Sequence, residues 1–324
     1  MVTASFLDAA ASLDGPDWLR ARRAAAAAAF AEAELPSTDD EVWRYSRVDE
    51  LDLDTYAPAS TDAPGPVTQQ ALERAKSPEN ITNRAATVVV GNGRVIYTEV
   101  ADTWASKGLR VGVASETDAG LIGAAAGHSL ADVPDAFAFL NDAVMVDPVL
   151  VYVPAGMDLD APVVVVHVTE GENVVATPRL VVHAGQDSAV NVVEMQLSDD
   201  NHNLVVPMTE IVAARAARVG HITVQQLGLA TWQLGLQLSL VDSEATFRST
   251  SVGFGGGYAR LRTDCRMIGR GATGELDAVY FGEGDQTLDF RTFQEHIAPD
   301  CTSNRRSCPG ARCCRSWPSS GRWT

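Results

Sequence analysis

The sequence predicts a mainly β protein, a β-solenoid entered through an α-helical N-terminal region. Three observations carry this. An alanine-rich run lies near the start, the apolar pattern turns to short β-branched runs from Val144 onward, and four segments between about 180 and 282 repeat at near-fixed spacing.

The first element spans Trp18 to Glu34 and contains Ala24 to Ala29, the residue type that gives up least on entering a helix. Pro16 and Pro36 punctuate its ends. Glu41-Val42-Trp43-Arg44-Tyr45-Ser46, followed by Leu51, Leu53 and Tyr56, reads as a short amphipathic segment docked on a core. Pro58 to Pro66 is rich in Pro, Ala and small polar residues and reads as a linker, and a second short helix is expected over Thr68 to Lys76. Thr87 to Val90, Gly91-Asn92-Gly93 and Val95 to Val100 predict a β-hairpin with an Asn-Gly turn. Ala119 to Ala126 and Asp135 to Asp142 read as short helices. Val149 to Val153 and Val163 to Val168 are β-branched runs separated by Pro154-Ala155-Gly156 and Pro162.

The repeats are Gly185 to Leu197, Arg215 to Leu227, Asp242 to Phe254 and Gly269 to Phe281, with starts spaced by 30, 27 and 27 residues. Each opens on small polar residues, has a polar seventh position (Asn191, His221, Arg248, Glu275) and closes on a bulky apolar residue. A single rung cannot bury its inner side chains, but stacked rungs share one core. A β-sandwich competes, yet it does not require similar segments at a fixed spacing. The expected organisation is a helical region and linker over 1–84, a small mixed lead-in over 85–143, a β-helix core over 144–304 and an unstructured tail over 305–324.

The 324 residues carry 25 Lys+Arg against 42 Asp+Glu, a net charge of −17, and 46% are apolar. The apolar share is that of a folded chain. The acidic balance argues against nonspecific nucleic-acid or anionic-membrane binding, which need a cationic surface. No apolar run approaches the roughly 20 residues of a membrane span, and no secretory leader precedes Asp8, so a cytoplasmic location is expected. The last 20 residues break the pattern: five arginines, Cys308, Cys313, Cys314, two tryptophans and no acidic residue. A GC-rich gene read out of frame yields this composition, and that reading of the tail is favoured. The alternative, a metal-binding tail, has C-x4-C-C spacing without histidine, a poor zinc set.

Reactive candidates are few. Of the six histidines, His167 and His183 lie in apolar runs and read as structural, and His221, at the repeat's polar position, reads as solvent-facing. His296 and Cys301 lie five residues apart beside Asp289, Glu295 and Asp300. They could ligate a soft metal or form a thiolate–imidazolium pair, but turn chemistry and packing explain them better. Gly253 to Gly257 has no helix after it to complete a phosphate cradle and reads as a tight turn. There is no G-x-S-x-G or H-E-x-x-H motif. No catalytic residue, cofactor contact or metal ligand is assigned, and His296 and Cys301 remain the only candidates.

Several pieces resemble one family. They are Glu41 to Ser46, Val153-Pro154-Ala155-Gly156, the repeats, and Gly284-Asp285-Gln286-Thr287-Leu288-Asp289 running into Glu295-His296-Ile297-Ala298-Pro299-Asp300-Cys301-Thr302-Ser303. Together, over about residues 30 to 304, they resemble the SufB/SufD family of iron–sulfur cluster assembly proteins, on its SufD side and most like actinobacterial members. The resemblance implies a right-handed parallel β-helix after an N-terminal helical region, followed by a C-terminal helical domain whose counterpart is missing here. It implies a non-catalytic scaffold subunit that pairs with SufB through the β-helices and with the ATPase SufC through that C-terminal domain. No cofactor is implied for this chain alone, and an iron–sulfur cluster and a reduced flavin are implied for the intact complex. His296 and Cys301 match positions in an ordered β-helix segment, which implies a structural role. The tail from Arg305 matches nothing in the family, so a truncated or frame-disrupted subunit with impaired function is expected. Two other classes stay open: a β-solenoid enzyme acting on saccharides or acyl groups, and a metal-binding module using the Cys-rich tail.

Overall fold

The computed structural model describes residues 4–59, 67–76, 78, 81–116 and 135–309. In it a helical layer lies against a parallel β-solenoid of about five turns.

The helices are α1 (Ala4–Ser12), α2 (Asp17–Glu32), α3 (Gln69–Lys76), α4 (Asp102–Ala105) and α5 (Ala136–Val144). Helix α2 is the alanine-rich element, with Pro16 at its N-cap and Asp17 in its first turn. Asp135 caps α5 by accepting hydrogen bonds from the Phe137 and Ala138 amides at 3.1 and 3.3 Å, satisfying donors that the first turn leaves free. Phe6, Phe30, Trp43, Phe137 and Leu140 pack together and onto Val175, Leu204, Leu234 and Tyr258 of the solenoid. The aromatic cluster around Trp43 is therefore docked on a core, as its pattern suggests. The helix expected over Ala119 to Ala126 lies outside the described residues.

Two sheets form the solenoid. The eight-stranded sheet contains β2 (Ala86–Gly91), β3 (Arg94–Val100), β6 (Val163–Thr169), β9 (Ala189–Ser198), β12 (Arg218–Gln226), β14 (Thr246–Gly253), β16 (Thr273–Tyr280) and β18 (Thr302–Pro309). The ten-stranded sheet contains β1 (Ala57–Pro58), β4 (Arg110–Val113), β5 (Val149–Val153), β7 (Val174–Ala176), β8 (Arg179–Ala184), β10 (Leu204–Val205), β11 (Met208–Ala213), β13 (Trp232–Val241), β15 (Tyr258–Met267) and β17 (Thr287–His296). Among the described residues all strand pairings are parallel except β2 with β3 and β4 with β5, the antiparallel pairs at the N-terminal edges of the two sheets. The Asn-Gly hairpin is real, with Asn92 and Gly93 both at positive φ (48° and 82°), the backbone that a two-residue turn demands. The expected lead-in is joined to both sheets, because β2 pairs with β6 and β4 with β5.

The register corrects one reading of the repeats. Asn191, Gly220, Arg248, Glu275 and Asn304 form a single column on the outer side. His221 is one residue further along, paired with Val192 and Ser249. A one-residue slip moves a strand side chain to the opposite face. His221 is thus not solvent-facing but 1% exposed, inside the solenoid. The column explains Gly220, because a Cβ there would collide with the Asn191 amide oxygen. Gly255 and Gly257 likewise lie where a Cβ would meet backbone of the preceding coil, at Leu227 and Leu229. The glycine-rich run is a corner turn between β14 and β15.

The last described strand, β18, runs from Thr302 to Pro309 and pairs with β16 throughout. The boundary expected between Asn304 and Arg305 falls inside it, so Arg305 to Pro309 are strand and not unstructured tail. The sheet's main-chain partners extend the ladder past the change in composition. Among the described residues no helix follows α5, and no helix is long and apolar enough to cross a membrane.

Candidate functional site

Alternation along each strand decides what enters the solenoid. In β9 the inward positions are Val190, Val192, Glu194 and Gln196, all buried. In β12 they are Val219, His221, Thr223 and Gln225. The first coils fill this interior with valine and leucine: Val149, Val151, Val163, Val165, Leu180 and Val182 form one apolar cluster. Glu194 is therefore a carboxylate inserted into a hydrocarbon core.

Its neighbours make that possible. His221 Nε2 lies 3.0 Å from Glu194 Oε2, and His167 Nε2 lies 3.2 Å from Oε1, approaching from the coils on either side. Gln196 Nε2 donates to Oε1 at 3.1 Å. Thr209 Oγ1 donates to Oε2 at 2.8 Å from β11, across the lumen. Burial pushes the Glu194 carboxyl up, but hydrogen bonding and charge from His167 and His221 outweigh it and hold it well below the usual carboxylate range. The Nδ1 atoms of both histidines are buried without a hydrogen-bond partner, and so is His167 Nε2, whose approach to Oε1 is a close charge contact and not an aligned hydrogen bond. Together the three form a cluster of titratable side chains inside the described solenoid.

Polar residues continue along the axis. Gln237 and Ser249 bridge the two sheets on the next coil, with Gln237 Nε2 donating to Ser249 Oγ at 3.0 Å. Ser239 donates to the Asp264 carbonyl at 3.1 Å. Cys265 follows, fully buried, and burial pushes its thiol up to about 11, with the hydrogen bond to Ser239 opposing. At neutral pH this cysteine is a thiol and a poor nucleophile.

A second charged cluster lies outside the barrel, under the helices. Arg179 on β8 contacts Asp142 of α5 at 2.8 Å and forms an ion pair with Glu210 of β11, and Arg22 of α2 reaches Asp142 at 3.1 Å. Two cations and two anions cancel where α2 and α5 meet the sheet. Arg23 donates to the carbonyls of Met145 and Val146 at 2.9 and 2.6 Å, satisfying acceptors just past the end of α5. These contacts attach the helical layer to the sheet.

The sequence-nominated pair is not brought together. His296 ends β17 exposed, and its Nε2 lies 2.9 Å from Ser303 Oγ. Cys301 sits in the following turn, with its thiol directed at the carbonyls of Ala298 (3.1 Å) and Gly269 (3.5 Å). His183 stacks on Tyr152 at 5.4 Å outside the barrel. Among the described residues no group of three or more His, Cys, Asp or Glu side chains is arranged to hold a metal ion. The sequence reading passed over Glu194 and Thr209. Strand parity was the available signal, since Glu194 follows Val190 and Val192 at the inward period.

Comparison with known proteins adds an independent finding. Residues 8–165 match the family described as "SufBD protein N-terminal region". Residues 167–307 match "SUF system FeS cluster assembly, SufBD core domain". An iron–sulfur cluster assembly SufBD family protein of Mycobacterium tuberculosis is 30% identical over 95 residues, 29% of this chain and 24% of that protein. One of Staphylococcus epidermidis is 26% identical over 172 residues, 52% of this chain and 36% of that protein. The chain thus aligns with about a quarter to a third of the length of these relatives.

Proposed function

Because the chain belongs to the SufB/SufD family of the SUF iron–sulfur cluster assembly system, we propose that it acts as a SufD-type, non-catalytic scaffold subunit in that assembly. In this reading it works in the cytoplasm beside a SufB-type subunit and a SufC-type ATPase. The cluster is the cargo of the complex, and reduced flavin is a cofactor of the complex as a whole. His296 and Cys301 hold the last coils and ligate nothing.

The observation that carries the reading is the pair of family matches running almost without a gap from residue 8 to residue 307 over one helical layer and one solenoid. The chemistry inside the described solenoid supports a scaffold. Glu194 is fully engaged by its neighbours, and Cys265 is a buried thiol of raised pKa. The SufD side rests on Val42-Trp43-Arg44-Tyr45, which this fold uses as a docking element. Deleting the gene in its host under iron limitation, then restoring it, tests the role. Iron–sulfur enzyme activities should fall on deletion and recover on restoration. Unchanged activities in the deletion strain would overturn the proposal.

A further inference from the structure

Inside the solenoid, three titratable side chains from three successive coils meet, each buried from solvent. Glu194 is 2% exposed, His167 2% and His221 1%. Around them β5 and β8 present Val151, Leu180 and Val182; β11 presents Thr209; β13 presents Gln237 and Ser239; β14 presents Ser249 and Ser251. Glu210, Arg179, His183 and Asp264 belong to the outer side of the sheet, and Cys265 on β15 is the next titratable group inside. No other ionisable side chain among the described residues of these strands balances the charge of the three.

Their protonation states therefore set the charge of the core. With both imidazoles neutral, the Glu194 carboxylate carries the only charge, and the cluster is negative. One added proton, on either ring, makes it neutral, and a second makes it positive. A net charge in an apolar interior is costly, whereas a compensated pair is tolerated. The unpartnered Nδ1 atoms mean that no fixed acceptor assigns the proton to one ring.

We propose that His167, Glu194 and His221 form one proton-linked unit that makes the stability of the solenoid depend on pH, with the neutral, singly protonated imidazole pair as the most stable state. The unit binds protons cooperatively and not as three independent sites. Acid that adds a further proton to the neutral unit, ending with the Glu194 carboxyl itself, or alkali that removes the last imidazole proton, charges the core and loosens the coils that carry the triad. This coupling is independent of the role in cluster assembly, so its failure would leave that role intact.

The test is unfolding of the full chain as a function of pH, comparing wild type with Glu194→Gln. The sign on the acid side follows from the depressed carboxyl. Stability from Glu194 is present above the ordinary glutamate pKa of about 4.3 and is lost as pH falls below it. The wild-type unfolding constant should rise relative to the variant by up to about tenfold per pH unit there, and should rise again in alkali. A wild-type to variant ratio that stays flat across pH would overturn the proposal. Should Glu194→Gln fail to fold, the wild type decides alone. Imidazole NMR signals of His167 and His221 should shift together in coupled, non-ideal curves, and two independent single-site curves would overturn it.

Discussion

Arg179 is fully buried yet ionised, because Asp142 and Glu210 outweigh the burial that opposes its charge. Removing one partner of such a cluster leaves uncompensated charge behind. Arg179→Ala should destabilise the protein by roughly 3–5 kcal/mol in urea unfolding, far more than loss of the exposed Arg218–Asp158 pair. A cost near that of the exposed pair would show that the cluster contributes little. At this scale the sequence was only partly legible. His167 and His183 were read as structural and are buried or half-buried in the strands. His221 was read one residue out of phase, because nothing local distinguishes Gly220 from His221 as the partner of Asn191. The carboxylate at Glu194 becomes meaningful only when coils about 28 residues apart are stacked and bring His167 and His221 to it. His296 and Cys301 show the converse: nearness in sequence does not join them, since each is engaged by its own turn.

Elements that depend on local chemistry were the most readable. The alanine run gave α2, Asn92-Gly93 gave the hairpin, and β-branched runs gave the strands. The corners depend on approach between coils, and there the glycines can be tested. At Gly255 a Cβ would collide with the Leu227 backbone, so Gly255→Ala should cost about 1–3 kcal/mol by overpacking. Gly284, with nothing near its Cβ but a positive φ of 61°, should cost less, about 1 kcal/mol, through backbone strain alone. Equal losses at the two sites would contradict the stacking of the corners. Trp43 joins the helical layer to the solenoid, packed on Phe137 at 5.7 Å and under the Arg260 guanidinium at 4.0 Å. Trp43→Ala should cost about 3–5 kcal/mol, read as a lower urea midpoint, and should increase amide exchange in the docked segment before that in β9 and β12. Uniform loss of protection across both layers would mean that the layer does not dock as a separable element.

The whole molecule couples a helical layer, fastened by the arginine–carboxylate cluster and Trp43, to a solenoid whose apolar interior carries a buried His–Glu–His cluster. Its overall architecture was legible because solenoids write their period into the sequence, while the contents of the interior were not, because they are contacts between repeats. The abrupt change of composition at Arg305 did not coincide with a structural boundary, since parallel pairing with β16 continues to Pro309. The central claim is that this architecture serves as an assembly scaffold through protein partners. Native mass spectrometry of the chain co-expressed with SufB-type and SufC-type proteins from the same genome tests it most directly. The account predicts a stoichiometric complex containing this chain and the SufB-type subunit. Recovery of the SufB-type protein only with itself and the ATPase, and of this chain only alone, would contradict it.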